Sequence, residues 1–593
     1  MNSAVDEMDL PVGAVARAIN LRLNKKRLAT RPGVTAVPLT GDEAVVERWR
    51  KFNIQGGMRY RPARGSSALT FARDYERLMI SCGGGRYSVA IHNPSGLMPS
   101  AQISDVSNGL YTKLWDTHWW VQAENYAISS DAVGATWIWD GESPAFPSTG
   151  YNTATPLSAR VPNAAGPMCY ANNMLHVAAK GGVLVGNRLH QENRTDARNI
   201  LEFSDQRYWA TGQMFSQPSI LGPITAIMPL PVAGKNNGIG FIIPHCEEGA
   251  FGIFDNIADR STWPTQAVVQ LINDSYGAVG QYAIALFVGD QIFRTKLGIQ
   301  TYKTMMAEYD ILGATMIDLG KEVRRWLDAD DPELLRFCSI STLPTKSRTF
   351  CTTAPRANGI HRWHDGLLSC YANPVEGAIP SGRAWEGLWT FPREIGGPVL
   401  MLQGPDRTSW GVHHSEFLQK NFLVRHWNEY QNDIAEDGTE HLIEWRVVLG
   451  KIAPDKIVGS ARAENIYVRF ANCQGRVKAK LFVRTETNPE WKEFGKQLSV
   501  DVKASTSSGH LIGVQNGGRD FWAPMGKGEV KAGRWVQFRL DGAGVCEISD
   551  FGWGFTPADR TGLDGDEMPE CKCYPPNLPA CEDDFSYTYS KEF

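Results

Sequence analysis

Between about residues 60 and 450, short apolar segments alternate with turn signals again and again, and helical patterns scarcely intervene. Candidate strands are Tyr87–His92, Trp119–Ile128, Thr136–Trp139, Met174–Ala178, Ile239–Ile243, Tyr282–Val288, His361–His364 and Leu442–Leu449. Asp-Gly pairs follow or link several of them, at Asp140-Gly141, Asp365-Gly366 and Asp437-Gly438. Such pairs tolerate the positive φ of tight turns, so each predicts a hairpin. Meander after meander suits a β-sandwich or a β-propeller, and the lack of an exact repeat period would make the blades of a propeller diverged.

One stretch departs from this pattern. Met316, Leu319, Val323, Trp326 and Leu327 fall at helical spacing and predict a helix over Met316–Leu327, packed on the sheets by that stripe. Beyond about residue 455 the style changes. In Arg476–Thr485, Val477, Ala479, Leu481 and Val483 alternate with charged residues, and Val536, Phe538 and Leu540 alternate likewise in Arg534–Leu540. That is a sheet with one buried and one wet face. The expected organisation is an N-terminal platform or docking segment over 1–60 and a propeller over 61–454 with a helical insertion near 304–328. A β-sandwich over 455–560 and an acidic tail over 561–593 follow. At 593 residues the chain is too long for one ordinary core.

Charge and composition narrow the function classes. The net charge of −4 argues against a general nucleic-acid coat, which needs a basic surface. No run of about 18 apolar residues spans a membrane, and the N-terminus has no secretory pattern. Residues 10–41 carry Arg17, Arg22, Lys25, Lys26, Arg27 and Arg31 and no acid, which reads either as a solvated loop and strand or as a contact surface for an acidic partner. Residues 564–593 carry eight acids against two lysines and read as an extended or partner-ordered tail.

The sequence holds no GxxxxGK[ST] loop, no HExxH helix and no GxSxG elbow, so no cofactor or catalytic residue is assigned. Gly83-Gly84-Gly85 precedes a strand and reads as a loop. His413-His414 reads as exposed or hydrogen-bonded, since a metal would need further ligands. Cys571, Cys573 and Cys581 offer three thiolates where structural zinc wants four ligands, and both a disulfide and a metal stay open. Ser129–Trp137 resembles the Asp-box turn of sialidase-type propellers with one extra residue, which favours a propeller hairpin over hydrolysis.

Several short segments, in one shared order, resemble the tail nozzle (tail tubular B-type) proteins of short-tailed bacteriophages. They begin with Leu10-Pro11-x-Gly13, Asn20 and Leu28-x-x-Arg31-Pro32-Gly33. Tyr126–Ile128 then leads into Trp137–Gly141, followed by Asn199–Asp205 with Trp209 and by Pro223–Ile227. Leu297–Tyr302, Trp385–Trp389 and Gly533–Leu540 complete the series. The resemblance implies a structural virion protein, made in the host cytoplasm and not an enzyme. It would form a homohexameric ring that docks on the adaptor beneath the portal and carries tail fibres or spikes. Double-stranded DNA would pass through its channel without sequence-specific binding. On that basis Asn20, Arg31, Pro32, Gly33, Phe203, Ser204, Asp205 and Trp209 are motif or interface candidates, and Glu582, Asp583 and Asp584 are channel candidates. An acidic lining would repel phosphate and let DNA slide. The alternative is a propeller that hydrolyses or binds glycans.

Overall fold

The computed structural model describes residues 15–557 apart from 25–26, 62–75, 97–98, 114–116, 143, 149–160, 163–165, 188–196, 204–213, 231–238, 257–267, 288–289, 304–314, 373–383, 430, 454–460, 496, 502–520 and 528–534. Among the described residues the chain is mainly β, and antiparallel four-strand meanders follow one another around a ring.

The first blade runs through Ile54–Tyr60, Arg77–Cys82, Gly85–His92 and Ser100–Asp105, with Leu39–Gly41 added parallel at its outer edge. The second comprises Trp119–Ala123, Tyr126–Ser130, Trp137–Trp139 and Phe146–Pro147. Met168–Ala171, Met174–Ala179, Gly182–Val185 and Met214–Ser216 form the third. The fourth begins at Ile224–Leu230 and ends at Val268–Asn273, and the fifth begins at Ile284–Phe287 and ends at Thr315–Asp318. These five and the closing blade are six separate sheets, while one further meander, Ile340–Leu343 to Ala384–Trp389, belongs to a 13-stranded sheet. The closing blade follows it, with Gly397–Gln403, Ser409–Ser415 and Lys420–Asn428. The first strand of each meander packs on the first strand of the next, and Gly397–Gln403 packs back on Ile54–Tyr60. The ring is thereby closed, a β-propeller of six self-contained blades with the extra meander as its seventh element.

The N-terminal segment closes it. Gly33–Val37 is the fourth strand of the closing blade, antiparallel to Lys420–Asn428, and every one of its residues is buried. The same segment reaches a second layer. Val15–Ile19 pairs in parallel with Ala384–Trp389 and antiparallel with Glu444–Leu449, and so joins the propeller to the C-terminal strands. There Ala461–Thr485 and Val536–Pro557 share a long ladder interrupted by four register shifts. Bulges bend and twist such a pair. Residues from both halves, among them Val468, Phe470, Leu481, Leu498 and Met525, accordingly meet in one core. The predicted alternation holds here: Val477, Ala479, Leu481 and Val483 are buried, and the charged residues between them are not.

Several expectations need correction. Trp119–Ile128 spans two strands of a hairpin, because Ala123–Tyr126 turns with Glu124 at φ 51°. Asp140-Gly141 and Asp437-Gly438 do turn, with Gly φ of 96° and 85°. Asp365-Gly366 does not: it lies inside His361–Tyr371, and the hairpin turns at Gly359. Gly366 serves close approach instead, since a Cβ there would lie 2.6 Å from the Trp389 carbonyl oxygen. Met316–Leu327 is not one helix. Thr315–Asp318 is the outer strand of the fifth blade, Leu319–Val323 is a 3-10 turn, and only Arg324–Leu327 is α-helical. Ladder pairing with Ile299–Lys303 claims the first residues, while Leu319, Val323 and Leu327 are buried as the stripe required. The helix Glu43–Lys51 was not anticipated, although Asp42 caps it through Ala44 N and Val45 N and basic residues fill its last turn.

Candidate functional site

Two sites of buried polar chemistry bear on how the ring is held: the junction made by the N-terminal motif, and the Tyr282 hydroxyl among the first strands of the blades. At the junction Asn20 takes φ 56°, a left-handed conformation that asparagine tolerates between two strands. Its side-chain oxygen accepts from Thr390 N (2.7 Å) and Arg31 Nε (3.0 Å), and its amide donates to Glu444 O and Thr390 Oγ1. Arg31 is 2% exposed. Its Nη1 and Nη2 donate to the two carboxylate oxygens of Asp433 at 2.8 and 2.6 Å, a bidentate pair. The remaining donors reach the carbonyls of Pro32 and Thr390, and the guanidinium lies 4.9 Å from the Phe391 ring centroid. Asp433 Oδ1 also accepts from Val34 N. Gly33 is required beside it, because a Cβ would run into the carbonyls of Asn432 and Gln431. Asn20, Arg31, Pro32 and Gly33 are thus brought together inside the chain, where they lock its first strands to the closing blade and to Glu444–Leu449.

Three of the six cations of the basic N-terminal segment pair with acids inside the chain. Arg31 pairs with Asp433, Arg27 with Glu547 (3.5 Å) and Arg22 with Glu429 (3.9 Å). A neighbouring buried pair, Arg348 with Glu386 (2.7 Å), holds Leu23 through both of its backbone groups. Lys25 and Lys26 lie outside the described residues, as do Ser204, Asp205, Trp209, Cys571, Cys573, Cys581, Glu582, Asp583 and Asp584. Phe203 is a core residue, packed with Ile200, Leu201 and Val177 between the second and third blades.

At the second site, Tyr282 precedes the first strand of the fifth blade and reaches across to the first and second. Its hydroxyl donates to His118 O (2.5 Å) and accepts from Gly57 N (3.1 Å). Gly56 leaves room for it, since a Cβ there would collide with the Tyr282 hydroxyl. Burial pushes the Tyr282 hydroxyl up from its ordinary pKa. Burial, and next the Arg86 charge, hold His118 well below the usual histidine value, so its imidazole is neutral. Tyr282 is therefore a neutral strut that ties the fifth blade to the first and second. Tyr282→Phe strands a buried N–H and a carbonyl, and we expect a loss of about 1–3 kcal/mol. Faster hydrogen exchange at Gly57 in the variant checks it; unchanged exchange there would show that the strut carries no load.

The Asp-box-like segment forms a hairpin turn, in which Asp131 Oδ1 accepts from Val133 N (3.1 Å) and Gly134 N (2.8 Å). His413 and His414 are both buried and hydrogen-bonded, His413 to Gly396 O and His426, His414 to Asn421. Among the described residues no group of three His, Cys, Asp or Glu is placed to hold a metal ion. The importance of Asp433 and Tyr282 left no mark in the sequence, because their partners lie far away along the chain.

No protein-family model matches this chain. No curated protein matches it either. Solved structures do. A structure titled as YCF48 bound to D1 peptide is 10% identical, covers 70% of this chain and 98% of its own, and has a TM-score of 0.34. The C-terminal WD40 domain of Sif2 is also 10% identical over 70% of this chain and 97% of its own, with a TM-score of 0.30. YCF48 from Cyanidioschyzon merolae is 9% identical over 67% of this chain and 99% of its own, at 0.33. Likenesses this distant carry nothing about function, and the propeller rests on its own strand order.

Proposed function

We propose that this chain is a structural virion protein, a tail nozzle that assembles as a ring of six on an adaptor. In this reading it closes the tail channel, conducts DNA during ejection and carries fibres or spikes on its outside. The observation that supports it is the series of motifs in one order along the chain, whose N-terminal members Asn20, Arg31, Pro32 and Gly33 meet in one buried junction. Residues 20 and 31–33 thus set how the first strands leave the propeller. They do so from inside and present no docking surface themselves. In this reading the DNA conduit runs between the subunits of the ring, while Tyr282 ties blades together within each chain. The internal pairing of Arg22, Arg27 and Arg31 leaves fewer free cations to retain phosphate.

Purified full-length protein mixed with the adaptor encoded beside it should form six-fold rings in negative-stain images. A chain that stays monomeric with every neighbouring virion protein would count against the nozzle. Release of reducing sugar from host polysaccharide, or saturable binding of a defined glycan by the monomer, would replace it with the hydrolase or the adhesin.

A further inference from the structure

Two histidines of the closing blade sit where the ring is fastened. His413 Nδ1 is 2.9 Å from Gly396 O, and its Nε2 is 3.0 Å from His426 Nε2. A carbonyl only accepts, so the His413 proton is on Nδ1 and its Nε2 offers a lone pair. His426 must then donate from Nε2, which fixes both tautomers in the neutral pair. Gly411 makes the contact possible, since a Cβ there would lie 2.8 Å from His426 Nε2. Both rings meet the edge or face of Phe391, at 4.9 and 5.7 Å between centroids, and Phe391 carries the Arg31 guanidinium on its ring. Both histidines are less than 4% exposed.

Among the described residues, a proton added to this stack meets no uncommitted anion. On His413 it would set two N–H groups head to head, and on either ring it would place a second cation beside Arg31. Asp433 is committed to Arg31 through both oxygens. The strand His361–Tyr371 brings His364, bonded to Pro398 O, and His361, stacked on His414 at 4.2 Å, while its Asp365 pairs with Arg356 and its Arg362 lies over the Phe337 ring. His414 is bonded to Asn421, and in the linker 390–396 before the closing blade Arg393 pairs with Glu394, which is also 3.9 Å from His441. The same stack holds Gly33–Val37, because Arg31 and Pro32 lead directly into that strand and Asp433 caps Val34 N.

We propose that His413 and His426 form an acid-operated latch whose protonation frees Gly33–Val37 from Lys420–Asn428 and opens the ring before its other blades unfold. The sign follows from burial. Burial pulls His413 down from 6.5 to about 4, while its bond to Gly396 opposes the shift and the Arg31 charge adds to it. Burial likewise holds His426 well below 6.5, helped by His413 and Arg31. The unfolded segment binds protons first, so the fastening is at full strength above about pH 6.5 and weakens as pH falls toward about 4.

Hydrogen exchange of the full chain, corrected for intrinsic rates, tests it. Between pH 6.5 and 4, residues 33–37 and 420–428 should lose protection by about ten-fold or more while the second to fifth blades keep theirs. His413→Asn and His426→Gln retain a donor but cannot take a proton, and should hold that protection at pH 4. Opening of all blades together, or an unchanged profile in both variants, overturns the latch. If neither variant folds, carbon-13 labelled histidine in the wild-type chain decides: His413 must titrate in step with the loss of protection at 33–37, and a titration out of step overturns it.

Discussion

Arg31→Met should destabilise the fold by about 3–5 kcal/mol, the cost of leaving one partner of a buried ion pair charged and alone. The residue left behind is Asp433, whose side chain is 1% exposed and which would keep only the Val34 N–H of its present donors to the carboxylate. The Arg31 Nε bond to Asn20 and the Nη2 bond to Thr390 O vanish too, so the left-handed turn at Asn20 loses a donor that holds it. Asp433→Asn should cost less, because an amide still accepts from Arg31 and the net charge left buried is positive and stacked on Phe391. The double change Arg31→Met with Asp433→Leu should recover part of the loss, since an apolar pair of similar volume replaces a desolvated ionic one. Chemical denaturation of the three variants reads this out. Equal stability of Arg31→Met and the parent would show that the pair is neutral to the fold and that the junction is held by its strands alone.

The sequence made the meanders legible because their information is local. Asp140-Gly141 and Asp437-Gly438 carry the backbone freedom that a turn needs, and Val477 to Val483 carries the period of two that a half-buried strand needs. Failures came where a distant partner overrode the local signal. Gly366 is a glycine because Trp389 approaches it, and the helical stripe from Met316 yields its first turn to a ladder with Ile299–Lys303. The junction is the strongest case. Asn20 and Arg31 belong to the motif, yet the role of Arg31 depends on Asp433, 402 positions further along the chain. Nothing near Arg31 in sequence distinguishes a buried strut from a surface cation. Tyr282 is similar: its role is set by His118 and Gly57, which belong to other blades.

Removal of residues 1–37 should have a larger effect still and abolish the cooperative fold of the ring. Gly33–Val37 buries Val34, Ala36 and Val37, whose side chains belong to two different cores, one in the first blade and one under the linker. Val34 and Val37 alone contribute roughly 1.5–3 kcal/mol each on burial. Deletion would also strip one edge of Lys420–Asn428, which would keep only its pairing with Ser409–Ser415, and would take Arg31 and Val15–Ile19 with it. The ring would then lack both its closure and its seam to the C-terminal sheet. Loss of the near-ultraviolet dichroism of the buried tryptophans, Trp49, Trp137 and Trp410 among them, and rapid proteolysis within the blades are the expected readings. Co-expression of a separate fragment spanning residues 1–42 should restore both, because the lost contacts are non-covalent and need only the segment itself. A shortened chain with unchanged dichroism and the same unfolding midpoint would mean that the blades close on their own side-chain packing. In that case the N-terminal strand would be a guest on a finished ring, and the latch at His413 and His426 would have nothing to hold shut.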